Sequence, residues 1–442
     1  MVLQPQVSAA LADLQSRVRG DVMAPDDARY DTARKGFNLV VDQYPALIVE
    51  AETVSDIVEA VRFANREDLN IAVQSTGHGT VRPADDKLLI ITSRMNRVRI
   101  DVATQTAYVE AGVQWGQVLE QAQMVGLAPL LGSSPEIGVV GYSLGGGMGW
   151  LARKYGLATD SIRSIELVTA DGQFRHASNH ENAELFWGLR GGSGAFGVVT
   201  AMEIQLFPVT TVYAGNLYYP VEYAQEVITR YRDWIADAPD ELTSAVLIMN
   251  FPPIPEVPEP LRGQSFAVIR GSYVGSVEQG KTLLQTWRDW QAPAIDAWDV
   301  MPFADAATIS NDPVDPLPSL MTTMSLSELN DDVIEILIRN GITNNGLIFA
   351  EIRHAGGAMK QVDPASNAYS HRHADLILCL VGVTPTSEAH QALTAYTNQF
   401  KEELQPYAVK GFYMNFLEGE ESRTQVQSNY APETLRRLQA LK

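Results

Sequence analysis

Ile71-Ala-Val-Gln-Ser-Thr-Gly-His-Gly-Thr80 is a short apolar run that ends abruptly in small residues bracketing one histidine. The pattern predicts a strand running into a tight loop, because Gly77 and Gly79 permit torsions and close backbone approach that other residues forbid. Several amides could converge on an anion there while His78 is held between them. A turn that happens to contain a surface histidine is the competing reading, and these ten residues alone do not separate the two.

The chain has 442 residues, which is long for a single core, so two domains are expected. Apolar residues at 45% and charged residues at 19% fit a globular protein in water. A net charge of -20 disfavours nucleic acid or an anionic membrane as partner, since both attract basic surfaces. The single cysteine, Cys379, excludes an internal disulfide, and its place in Leu376-Ile-Leu-Cys-Leu-Val381 predicts a buried strand position. Met1-Val-Leu-Gln-Pro-Gln-Val-Ser8 lacks a basic segment followed by an apolar one, and no run is long enough to span a bilayer, so the expectation is a cytoplasmic protein.

Working outward from His78, strand-like and helix-like patterns alternate at short intervals up to about Pro208. Pro45–Glu50 reads as a strand, and Ser55–Ala64 carries apolar residues at Ile57, Val58, Val61 and Ala64, a helical spacing after a serine cap. Leu88–Ile91, Val98–Ile100 and Ala107–Glu110 read as strands, and Trp115 to Gly126 as a helix closed by glycine. Gly132 to Gly149 is so dense in glycine that ordinary helix or strand would not tolerate it. A third small-residue loop, Gly191–Gly197, precedes the strand Val198–Phe207. A glycine-rich crossover without ligand is the alternative for any one loop; three in one domain favour a large polar cofactor. After Pro208 the texture changes, with the proline-dense excursion Phe251–Pro260 set among alternating strands such as Ser265–Arg270 and helices such as Val277–Trp290. The expected division is 1–209, 210–400, and a segment 401–442 returning to the first domain.

Two nucleotide motifs compete. Gly275-Ser-Val-Glu-Gln-Gly-Lys-Thr282 matches the phosphate-loop pattern and would make the protein an NTPase. Against it, Ser276 and Gln279 make a capping box that starts a helix early, and Glu278 puts a carboxylate where phosphates must lie. Gly147-Met-Gly-Trp-Leu-Ala152 fits the loose dinucleotide fingerprint, but Tyr142-Ser-Leu-Gly-Gly before it is loop chemistry where a strand is required. His371-Arg-His373 pairs two imidazoles, with His354 upstream, yet lacks nearby carboxylates and reads as structural or pocket-lining.

Taken together, from Tyr44 to Lys442, these residues resemble the vanillyl-alcohol-oxidase type of FAD fold. Within it they resemble the bacterial berberine-bridge-enzyme-like oxidoreductases related to 6-hydroxy-D-nicotine oxidase. Gly77-His-Gly79 looks like the loop whose histidine is bonded to the flavin 8α-methyl. Gly145–Gly156, Leu185–Gly192, Gly356-Gly-Ala358 and Tyr413-Met-Asn415 are close to family signatures. The resemblance implies an α+β fold of two domains: a PCMH-type FAD-binding domain, and a substrate domain built on an antiparallel sheet flanked by helices. It implies cofactor contacts from Ser75, Thr76, Gly77, His78, Gly79 and Thr80, and from Ser134, Ile137, Gly138, Gly141, Tyr142, Gly145 and Gly146. Val198, Tyr413 and Asn415 complete that set.

The differences carry information too. Doubly linked members have a cysteine where this chain has Ser134, so a single histidyl link to FAD is expected. Plant members place a histidine at Tyr142, and some sugar-oxidising members place a tyrosine base at Phe416. The family pattern also continues past the position of Lys442, which implies a further strand or tail.

Hydride loss to flavin needs a clamped substrate and, for an alcohol, a base. In Leu347–His354, strand alternation puts Phe349, Glu351 and Arg353 on one face, and related bacterial enzymes present a glutamate to the flavin at the matching place. Glu351 is therefore the candidate base, against an ion-paired carboxylate beside Arg353; Tyr142 and Tyr369 come next. The expected activity is oxidation of a CH–OH or C–N bond in a small organic or secondary-metabolite substrate, with O2 as acceptor and Ile137 near the position that controls O2 access. A flavin-binding protein without turnover is the competing class.

Overall fold

The computed structural model describes residues 5–80 and 82–442, so the leading Met1 to Gln4 of the stretch read for a targeting signal lies outside the described residues. Three sheets organise the chain. The first is four-stranded, with Leu47–Glu50, Leu88–Ile91 and Ile71–Gln74 parallel and Asp21–Met23 antiparallel at its edge. Helix Val54–Arg66 covers it, burying Ile57, Ala60, Val61 and Ala64 against Val49, Leu88 and Ile90. That helix is capped two residues earlier than its apolar spacing suggested. Thr53 takes the N-cap: its side chain accepts the Asp56 N–H at 3.2 Å, and Asp56 accepts the Thr53 N–H at 3.1 Å. Ser55 thus lies inside the helix, because a capping box needs an acceptor three residues after the cap and Asp56 satisfies that only for Thr53.

The second sheet is a five-stranded antiparallel one, ordered Val98–Asp101, Thr106–Glu110, Val198–Gln205, Ile162–Val168, Phe174–Ser178. The third is eight-stranded and antiparallel throughout, drawn from strands between Thr211 and Val383. Helices Ala224–Ile235, Val277–Trp290, Asp331–Gly341 and Ser387–Leu404 bury Tyr231, Trp287, Leu337 and Phe400 into its core. Truncating a side chain as enclosed as Trp287 would cost roughly 3–5 kcal/mol. The architecture is the expected two-domain α+β arrangement. The boundary expected at 400 falls inside the last of these helices, whose Phe400 and Leu404 pack on the large sheet, and we place it after Leu404.

The C-terminal segment touches both the large sheet, where Ala408 bridges to Leu326, and the helix Ala183–Leu189 beside the second sheet. Helix Pro432–Leu441 packs on Ala183–Leu189, where Arg437 pairs with Glu184 at 2.8 Å and lies over the Trp187 ring at 3.7 Å. The phosphate-loop reading fails on the same geometry that argued against it. Ser276 caps the helix by accepting the Gln279 N–H at 3.3 Å, and Gly280 is buried in a helical turn against Tyr213 and Tyr273. Gly147 follows helix Val139–Leu144, with no strand before it, so the dinucleotide fingerprint has no structural counterpart.

Candidate active site

The loop after strand Ile71–Gln74 holds His78 against the N-terminal segment. Its ring stacks on Phe37 at 3.8 Å, and its Nδ1 lies 2.9 Å from Thr76 Oγ1. Gly77 is required there. Its φ is +76°, and a Cβ would come within 2.4 Å of the Gly36 Cα, pushing away the backbone that carries Phe37. Among the described residues His78 Nε2 is buried without a partner, as is Ser75 Oγ. Burial pulls the imidazole down to about 4, against a weaker upward pull from Glu136, so the ring is neutral at ordinary pH. A cavity of about 670 Å³ opens beside it, lined by Ser75, Thr76 and His78 together with Lys35, Phe37, Gly112, Gln114, Gln117 and Glu136. That volume is in the range of cofactor pockets.

Helix Val139–Leu144 and the glycine turn after it form a second wall, outside the lining of that cavity. A Cβ on Gly138 would meet Ser75 Oγ at 2.9 Å, which joins this helix to the histidine loop, whereas Gly79 and Gly141 face open space. Asn415 reaches in from the C-terminal segment and donates to the Tyr142 carbonyl at 3.0 Å and to the Tyr413 hydroxyl at 3.1 Å. Its Oδ1 occupies the place a Gly145 side chain would take, 1.9 Å from an added Cβ. The Tyr413 hydroxyl also accepts the Met148 N–H at 2.7 Å. Gly146 is covered by the Tyr369 ring, and the Gly191 N–H donates to the Leu144 carbonyl at 3.0 Å, so the third small-residue loop docks here as well. The Tyr142 hydroxyl makes no hydrogen bond of good geometry, and burial, with the nearby Tyr413 hydroxyl, holds it well above the usual phenol range.

Glu351 stands on the face of the large sheet opposite its covering helices. It is fully buried and its carboxylate is taken up by two arginines. Arg270 donates to Oε1 through Nε at 2.7 Å and Nη2 at 2.5 Å, and Arg353 donates to Oε2 through Nε at 2.6 Å. Burial alone would raise its pKa; the two guanidiniums outweigh that and hold it below the usual carboxylate range. Trp150, from the glycine loop, lies 5.8 Å from Arg270 and 5.5 Å from Arg353, which brings this cluster to the flank of the glycine wall.

The remaining expected residues fall as follows. Ser134 is buried and donates to Glu136 Oε2 at 3.0 Å. Ile137 is half-buried, with its carbonyl accepting the Trp115 N–H at 3.0 Å. Thr80 flanks Gly36. Val198 packs its side chain into the core under the first sheet and pairs with Val168 in the second. Cys379 is buried, and burial raises its thiol pKa. His371 and His373 lie 5.7 Å apart around Arg372, which pairs with Asp160 at 2.6 Å; among the described residues no three His, Cys, Asp or Glu could hold a metal.

Sequence reasoning missed Phe37, the loop Gly112–Gln117 and Arg270. The last had a signal: an arginine closing the otherwise apolar run Ser265–Arg270 occupies a strand position where burial demands a carboxylate partner. Phe37 had none, because nothing local announces which ring stacks on His78.

The residues present fit an FAD. A cavity of suitable size carries orphaned Ser75 and His78 atoms, and glycines face open space where a bulky ligand would lie. Comparison with known proteins agrees: residues 45–178 match the FAD binding domain family. An FAD-linked oxidoreductase of Dictyostelium discoideum is 28% identical over 91% of this chain and 87% of its own length. The crystal structure of 6-hydroxy-D-nicotine oxidase from Arthrobacter nicotinovorans superposes with a TM-score of 0.85 at 25% identity, covering 96% of this chain and 94% of that one. The fold is shared also with a BBE-like protein of Physcomitrella patens, with TM-score 0.84 at 21% identity over 97% and 95% of the two chains. From its FAD binding domain, its two-domain architecture and these likenesses, the chain is an FAD-linked oxidoreductase of the PCMH-type FAD-binding fold, similar in fold to the berberine-bridge-enzyme-like proteins.

Proposed function

We propose that this protein is an FAD-dependent oxidase that takes hydride from a CH–OH or C–N bond of a small organic molecule. Its flavin is bonded through the 8α carbon to His78 alone, and O2 is the final acceptor. The observation that carries this reading is His78 itself, a neutral imidazole with one nitrogen beside Thr76 and the other unpaired at the cavity wall. Bound FAD supplies the two-electron acceptor. In the tautomer with Nδ1–H donating to Thr76, Nε2 keeps its lone pair and is the atom of attachment. Ser134 has no thiol, and the Cys379 thiol is buried in strand Leu376–Val383, so His78 is the single link in this reading.

Asn415 and Tyr413 hold the glycine wall in place. Glu351, ionised throughout the neutral range, is the proposed proton acceptor for an alcohol. Ile137 is proposed to set how readily O2 reaches the reduced ring. Among the described residues no helix is long and apolar enough to cross a membrane.

The test is acid precipitation of the purified, flavin-loaded protein. The yellow chromophore should stay with the pellet, intact mass should exceed the chain by one FAD, and His78→Ala should release the chromophore into the supernatant. Freely extractable flavin in the fully loaded wild type refutes the link. Failure of every alcohol or amine donor to bleach the flavin anaerobically would favour a flavin-binding protein without turnover.

A further inference from the structure

We infer that the substrate carries a carboxylate on an apolar, ring-containing body, and that Arg353 is the residue that recognises the carboxylate. This rests on the oxidoreductase reading above and adds the substrate's chemical class to it.

The first ground is charge. Arg270 and Arg353 share one carboxylate, Glu351, so the trio has a formal charge of +1 in a place where Arg270 is 1% and Glu351 0% exposed. Among the described residues neither arginine has a second ion-pair partner, and Asp312 acts on Arg353 only from longer range. A buried guanidinium in excess of its counter-charges is costly unless an anion completes the set.

The second ground is the donor count. Glu351 accepts three guanidinium N–H bonds, while the terminal NH2 groups of Arg353 donate to nothing among the described residues. The Trp150 indole N–H, buried and within the same cluster, is likewise unpartnered. Donors without acceptors, in one cluster with a partly accessible guanidinium whose side chain is 12% exposed, suit an acceptor-rich anion.

The third ground is the register of the sheet. Arg270 and Arg353 both pair with Ala245, which puts them in one row on the face away from the covering helices. Two residues along each strand, Val268, Leu247 and Glu351 form the next row, and Phe266, Met249 and Phe349 the one beyond. The face therefore passes from cationic to apolar, and Tyr218, Met249, Phe251 and Phe349 along it stay only partly buried. Phe416 lies 4.9 Å from the Arg353 guanidinium on its other flank. A carboxylate on Arg353 with a ring laid over Met249 and Phe349 uses every part of this surface.

The experiment compares benzoate with benzamide, which share shape and differ in charge, by isothermal titration calorimetry on the flavin-loaded protein, with the flavin difference spectrum as a second readout. Benzoate should bind one per chain at least tenfold more tightly than benzamide, and Arg353→Met should abolish that preference while Arg353→Lys keeps part of it. Equal binding of the two, binding of neither, or an unchanged preference in Arg353→Met overturns the inference and leaves the trio as an interdomain clamp. The wild-type comparison decides even where a variant fails to fold, and flavin content and thermal melts identify such a variant. The acid-precipitation test is independent, since a protein with extractable flavin that still prefers benzoate fails the covalent reading and keeps this one.

Discussion

At His78 a single ring has to be neutral, oriented and exposed at one nitrogen only, and burial and two neighbours divide that work. Burial removes the proton, Phe37 fixes the plane and Thr76 occupies Nδ1. Thr76→Val should leave the fold intact and slow flavin attachment, read as a larger acid-extractable fraction in freshly reconstituted protein; an unchanged fraction would mean that Thr76 does not orient the ring. Glu351 makes a sharper case, because its pKa is depressed by Arg270 and Arg353. If it is the proton acceptor, its basic form persists down through the usual carboxylate range, so anaerobic bleaching should be flat from alkaline pH through neutrality and fall only in acid. Tyr142, raised by burial, would instead give a rate that climbs through the alkaline range. Glu351→Gln should lower the bleaching rate by about 10²-fold or more while reoxidation by O2 stays near wild type. A wild-type rate in that variant removes Glu351 from the reaction.

Whole elements meet at the glycine turn, where helix Val139–Leu144, the third loop and the C-terminal segment converge without side-chain volume to spare. Gly145→Ala would drive a methyl into Asn415 Oδ1, and overpacking of this kind costs roughly 1–3 kcal/mol. We expect a lower melting temperature and a reduced flavin-to-protein ratio. Asn415→Ala removes two hydrogen bonds without a clash, so its effect should be smaller in stability and comparable in flavin content. If Gly145→Ala loads flavin fully and melts like wild type, the Asn415 contact is not what positions the wall.

For the molecule as a whole, two buried groups bend stability in opposite directions with pH. Burial raises Glu418 to about 7, in a site where it accepts from Asn38 Nδ2 at 3.2 Å and the Met321 N–H at 3.0 Å. Folding then favours its protonated form, so its contribution declines as pH rises from about 4.5 to 7. Glu418→Gln should match wild type near the lower end of that window and melt higher above the upper end. His354, buried beside Arg153 at 3.1 Å, is held down to about 3. The unfolded chain binds that proton more readily, so stability is full above about 6.5 and erodes as pH falls, by roughly 1.4 kcal/mol per pH unit within the window. His354→Gln should flatten this acid limb in a melting-temperature profile. Parallel profiles for variant and wild type would show that neither group carries the linkage.

Features that depend on near neighbours are legible along the chain. The glycine-bracketed His78, the Ser276 cap that dissolves the phosphate-loop motif, the burial of Cys379 and the face shared by Phe349, Glu351 and Arg353 all follow from torsional freedom, capping geometry or strand alternation within about ten residues. The family motifs extended that reach to the FAD fold. Only the tertiary structure decided the partners: Phe37 on His78, Asn415 against Gly145, and Arg270 on Glu351, pairs separated by 41, 270 and 81 residues in the chain. Alternation says which face a side chain takes, but which strand lies next to it is fixed by sheet order. The counter-charge on Glu351, and with it the depressed pKa and the donor-rich surface, therefore came into being when strand Ser265–Tyr273 took its place two strands from Leu347–His354.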